Sequence, residues 1–122
     1  VLDENLAGRS ILDALGAHQI PAIASTALVP AGASDEDLLA AMEPTKHFLV
    51  SRDRDFRYHR ATTDLAASRK MGRFIITARK NMTGRDFAEL LIRAWPTIRK
   101  IIGRTKRPFI ATIDRAGKIR LV

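Results

Sequence analysis

Apolar residues recur along this chain with two periods, and the switches between them mark out its elements. Val1-Leu2 reads as the end of a strand. Leu6, Ile11, Leu12 and Leu15 then fall on one helical face, with Gly16 as the predicted stop. Ile20 to Ala24 is a short, β-branched run that predicts a second strand, with Pro21 suited to its start or to an edge. Pro30 to Ala33 forms a loop. Ser34 then caps a helix, with Asp37 three residues on and Leu38, Leu39 and Met42 facing inward, and Pro44 ends it. His47 to Ser51 is the clearest strand, continuously apolar as befits a strand covered on both faces.

Beyond it the chain turns polar. Residues 57–72 are basic, with a short helix expected near Asp64 to Arg69, and Phe74 to Ala78 predicts a fourth strand. A long amphipathic helix follows. Phe87, Leu90, Leu91, Ala94, Trp95, Ile98, Ile101 and Ile102 recur at three- and four-residue steps, with Thr83 as N-cap and Gly103 as stop. Pro96 should kink this helix or split it. The same periodicity assigns Trp95 to the core rather than to a base-stacking platform. Phe109 to Ile113 and Lys118 to Val122 pair as a terminal hairpin. This element order predicts one domain over residues 1–122: a three-layer α/β/α fold with a mainly parallel sheet and a C-terminal β-hairpin.

Composition narrows the chemistry. Of 122 residues, 46% are hydrophobic, enough for a packed core. The absence of cysteine removes thiol catalysis, disulfides and cysteine-type zinc sites, and it fits a reducing, cytoplasmic setting. No apolar run approaches the roughly 18 residues a membrane span needs. Net charge is +8, but it is unevenly placed. Residues 1–45 carry seven acids and one base, a net −6, whereas residues 46–122 carry 20 bases and six acids, a net +14. A cluster of acids that holds cations, set among bases that hold a polyanion, would explain that split.

The expected fold locates those acids. In a parallel sheet built with right-handed crossovers the C-terminal strand ends share one edge, where ligands bind. Asp3 and Glu4 follow the first strand, Asp35, Glu36 and Asp37 open the second helix, and Asp53 and Asp55 follow the third strand. Crowded carboxylates repel and take up protons unless a cation offsets them. Mg²⁺ or Mn²⁺, as one or two ions, suits oxygen donors and activates water toward a phosphodiester. Taken singly the groups have plainer explanations: acids favour a helix's first turn, and Asp53 and Asp55 could pair with neighbouring arginines.

The segments Leu2-Asp3-Glu4-Asn5-Leu6, Gly32-Ala33-Ser34-Asp35-Glu36-Asp37 and Leu49-Val50-Ser51-Arg52-Asp53-Arg54-Asp55-Phe56 together resemble the compact PIN-like domain family. That family includes VapC-type toxin ribonucleases and related small PIN-like proteins. The resemblance is carried by residues 1–56. It implies a metal-dependent endoribonuclease, a phosphodiester hydrolase acting as the toxin of a toxin–antitoxin pair, with RNA as substrate and an antitoxin protein as partner. It also implies a possible homodimer. Asp3, Asp35 and Asp53 would be metal ligands, with Glu36 competing for the second place. Asp55 would be a further ligand or orient a water on the metal, and Glu4 and Asn5 would support the ligands from outside. In larger PIN domains an extra helical stretch separates the second and third acids; here it is abbreviated.

Arg52, Arg54 and Arg57 border this site and are the first candidates for phosphate contacts, followed by Lys70, Arg73, Arg79 and Lys80. Bases on and after the long helix would solvate its outer face or meet an acidic partner. His18, His47 and His59 show no ligand spacing. Two other readings compete: a PIN-like module that binds RNA or protein without cutting, and a phosphoacceptor receiver domain using Asp3, Glu4 and Asp53.

Overall fold

The computed structural model describes residues 1–2, 8–45, 47–52, 71–78 and 82–122. Its helices are α1 (Arg9–Ala17), α2 (Asp35–Met42) and α3 (Gly84–Arg104). Its strands are β1 (Leu49–Ser51), β2 (Gly72–Ile76), β3 (Phe109–Ile113) and β4 (Ile119–Leu121). Single 3₁₀ turns lie at Ser25–Ala27 and Glu43–Thr45. The helix expected near residues 64–69 falls outside the described residues.

The four strands form one sheet in the order β1-β2-β3-β4. The first three run parallel, in a register that sets Val50 beside Phe74 and Phe74 beside Ala111. The hairpin adds β4 antiparallel, with Thr112 opposite Arg120. Its turn is closed by the Asp114 carboxylate, whose Oδ1 accepts from the amides of Ala116 and Lys118, both at 2.9 Å. Gly117 takes the positive φ of 85° that this turn requires.

Leu2 extends the sheet beyond β1, making parallel bridges to Val50 on one side and Ala24 on the other. The amide of Leu2 donates to the Ile23 carbonyl and its carbonyl accepts from Ser25, both at 2.8 Å. Of the strand expected over residues 20–24, the pairing seen is the bridge at Ala24 with the Leu2 bonds to Ile23 and Ser25.

Alternation along β2 divides the interior in two. Phe74 and Ile76 join a large cluster with Ile11 and Leu15 of α1 and Phe87, Leu90, Leu91, Ala94 and Ile98 of α3. Ile75 faces the other way, meeting Leu38, Leu39 and Met42 of α2 and Leu49 of β1. The result is three layers, with α1 and α3 on one face and α2 on the other. The connections through α2 and α3 step across the sheet in the same direction on opposite faces, so they differ in hand. Parallel pairing, rather than uniform right-handed crossovers, is what brings the strand ends to a common edge.

Two helix details depart from expectation. Gly16 lies inside α1, and the left-handed residue is Gln19, with φ of 59°. Gln19 donates to the Gly16 carbonyl at 3.0 Å and Ile20 to the Leu15 carbonyl at 2.9 Å. Burial of Ile20 with Leu15 completes this Schellman closure. In α3 the Thr83–Asp86 capping box opens the helix, which continues through Pro96 without the split that was one of the two expected outcomes. The proline is exposed, while buried Leu91, Ala94 and Ile98 hold the turns on both sides against the sheet. Among the described residues no helix is long and apolar enough to cross a membrane.

Candidate functional site

The strand order reverses at Leu2. From there the chain first moves outward to Ala24, and every later strand lies on the opposite side, beginning with β1. Such reversal points leave a crevice at the C-terminal strand ends, where sheets of this kind bind ligands. The same order also serves receiver-type domains, so it does not by itself choose between the two readings.

Three described features stand at that edge. The first is α2, which begins there because it leads the chain back to the start of β1. Ser34 caps it, its Oγ accepting from the Asp37 amide at 3.1 Å. Of the three acids in this first turn, Asp35 is half-buried, while Glu36 and Asp37 are exposed. The helix dipole favours negative charge at all three. The second feature is Ser51, the last residue of β1, which is fully buried. The third is Arg52, half-buried, with its guanidinium carbon 5.3 Å from the centroid of the Phe87 ring at the start of α3. That cation–π contact holds a positive charge beside the strand end.

Asp3, Glu4, Asn5, Asp53, Asp55, Arg54, Arg57, Lys70, Arg79 and Lys80 lie outside the described residues. Among the described residues no group of three His, Asp or Glu side chains gathers as a metal site. His18 and His47 stand at the other edge of the sheet, one after the end of α1 and one before β1.

Arg73 requires a correction. Expected as a surface base for phosphate, it is the second residue of β2 and only 2% exposed. The alternation that sends Phe74 toward α3 sends Arg73 to the α2 face, and burial lowers its pKa. A strand interior, not a nucleic-acid surface, is its setting.

A second feature carried no signal in the sequence pattern. An apolar cavity of about 350 Å³ opens between α1, α3 and the strands of Leu2 and β1, with Phe48, Phe74, Trp95 and Ile98 in its wall. Helical periodicity marked Trp95 as apolar and inward-facing, which is equally true of a residue beside a void.

A family profile described as a PIN-like domain matches residues 1–78. No curated protein matches the chain, nor does any solved structure.

Proposed function

The chain belongs to the PIN-like domain family, and from that premise we propose that it is a metal-dependent endoribonuclease. One observation carries the reading: the parallel bridges of Leu2 to Ala24 and Val50. Asp3 follows Leu2 directly in the sequence and Asp53 follows the end of β1 by two residues, and that adjacency to two neighbouring strand ends supports the reading. The half-buried Asp35 at the head of α2 belongs to the same edge.

The donor chemistry fits a hard divalent ion. Among the described residues, carboxylates open α2 at this edge, the chain has no thiol, and the two described imidazoles lie at the other edge. Oxygen donors of this kind suit Mg²⁺ or Mn²⁺ better than zinc. Asp3, Asp35, Asp53 and Asp55 would hold the ion or ions, with Glu36 as the alternative to Asp35 and Glu4 and Asn5 in support. When bound, such an ion supplies Lewis-acid activation of water and offsets charge on the phosphate.

The residues do the rest. Arg52, held over Phe87, would meet a phosphate next to the scissile bond, with Arg54, Arg57, Lys70, Arg79 and Lys80 along the flanking strand. The reaction is hydrolysis: a water oxygen joins phosphorus, the bond to the leaving ribose oxygen breaks, and that oxygen takes up a proton. A toxin role, an antitoxin partner, a homodimer and a cytoplasmic location are the finer parts of this proposal.

The test uses generic single-stranded RNA with Mg²⁺ or Mn²⁺. Cleavage should disappear with EDTA and in Asp3→Asn, Asp35→Asn and Asp53→Asn, while circular dichroism stays native. Native cutting rates in Asp3→Asn or Asp53→Asn would overturn the assignment. Binding without cutting in the unaltered protein would favour the non-catalytic reading. Growth arrest on expression, relieved by the product of a small neighbouring gene, would establish the toxin role.

A further inference from the structure

The outer surface of α3 changes character along its length. Near its start Arg85 pairs with Glu89 at 3.2 Å, and on α1 Arg9 pairs with Asp13 at 3.9 Å. Both pairs use the four-residue spacing by which surface helices offset their charges. After Glu89 the acids stop, and residues 90–113 hold six bases and no acid. Arg93, Lys100 and Arg104 share one stripe with Thr97, because steps of three and four residues return to the same side of a helix. All four are exposed, whereas Ala94, Ile98 and Ile101, one residue further round, are buried. The stripe lies on the shoulder beside the hairpin, where Nη1 of Arg93 donates to the Ala116 carbonyl at 3.4 Å.

Helix stability does not account for this stripe. The C-terminal dipole favours a cation in the last turn, which covers Arg104, but it fades before Lys100 and Arg93. Lys100 and Arg104 stand four residues apart, a like-charge spacing that destabilises a helix. An anion from outside offsets that repulsion, and its nature follows from what the stripe lacks. Protein partners seat aromatic or aliphatic anchors in an apolar interface core. Among the described residues α3 exposes no large apolar side chain. Bases of a single strand stack on exposed rings, but Phe87 and Trp95 belong to the core cluster or pack against it. A repeating phosphate chain needs neither anchor nor ring.

We propose that Arg93, Lys100 and Arg104 form a second RNA-binding surface, a line of phosphate contacts about 16 Å long at the usual helical rise. Such contacts hold the backbone without reading its sequence. Because α3 starts at the edge of the acids and leads away from it, only RNA extending beyond the cutting site reaches the stripe. The choice of RNA as the polyanion rests on the ribonuclease reading.

The test is the affinity of the unaltered protein and its variants for a long single-stranded RNA, measured by fluorescence anisotropy across a salt series in EDTA. Without metal nothing is cut, so binding is read apart from catalysis. Lys100→Gln and Arg104→Gln should each reduce the slope of log affinity against log salt by about 0.7. The reduction should be the same for RNAs of different sequence. Arg99→Gln, on the other shoulder of the helix, should leave the slope unchanged. Lys100→Gln should not lower Tm, since it removes a like-charge pair. With Mg²⁺ the two stripe variants should raise KM for the long RNA, leave its kcat unchanged, and leave cleavage of a short oligonucleotide unchanged. Reduced slopes in a protein that never cuts would uphold this surface and remove the nuclease reading. Native slopes in both stripe variants of a protein that does cut would overturn the surface alone. An equal loss in Arg99→Gln would reduce it to net charge, and tighter binding of polyglutamate than of RNA would assign the stripe to a protein; either would overturn the proposal.

Discussion

Gly72 is the position where one missing side chain decides the packing of three rings. Phe74 and Phe109 meet edge to face at 5.4 Å between centroids, and Phe48 lies 6.0 Å from Phe109. A Cβ on Gly72 would come within 2.6 Å of the Phe48 ring and 2.7 Å of the Phe109 ring. Gly72→Ala should therefore destabilise by about 1–3 kcal/mol, as overpacking does, measured by urea unfolding. Gly16 gives the opposite case. It sits in α1 with open space around it, so Gly16→Ala should stabilise by roughly 0.5–1 kcal/mol. Asp86 makes a pH prediction at the same scale. Its Oδ2 accepts from the Thr83 amide at 2.8 Å, and the Thr83 hydroxyl accepts from the Asp86 amide at 3.2 Å. These bonds, the backbone one first, lower its pKa. The folded state thus binds fewer protons here than the unfolded chain. The contribution is complete above the ordinary aspartate range and fades as pH falls through the depressed folded value. Asp86→Asn should flatten the acid limb of stability against pH, and an unchanged limb would refute the assignment.

At the scale of elements, α3 was the most legible part of the sequence and also held the plainest surprise. Its apolar period, its Thr83 cap and its end near Gly103 could all be read directly, because each is a local property. Pro96 could not be read that way. Whether a proline splits a helix depends on what holds the flanking turns, and here that is the sheet, contacted by Leu91, Ala94 and Ile98. The proline still leaves the Ile92 carbonyl without its helical donor. Pro96→Ala should accordingly raise stability by about 1–3 kcal/mol, seen as a higher Tm. Gln19 escaped notice for a related reason. Its left-handed backbone is imposed by the burial of Ile20 against Leu15, a tertiary contact. The site divides along the same line. The capped helix behind Asp35 was local and legible. The fate of Arg73 was not, because a basic residue beside an apolar run reads equally as a strand's exposed start or as its buried second position.

For the whole molecule, the acids of the first 45 residues and the bases of the remainder belong to chain segments that share one sheet, in which Leu2 from the front of the chain is bridged to β1. RNA affinity should fall steeply between about 0.05 and 0.2 M salt if several phosphates are neutralised together. A flat response would direct the bases toward a protein partner instead.

The two apolar clusters are unequal: among the described residues, sixteen buried members lie on the α1–α3 side and six on the α2 side. Local opening starts where the fewest apolar groups resist it, so the amides of α2 should exchange with deuterium sooner than those of α3. Among the described residues, the helix that presents Asp35 is thus the layer freest to loosen. Any ion gripping that carboxylate would slow exchange across α2 before altering the rest of the protein, making solvent deuteration a gauge of metal loading even where nothing is cut.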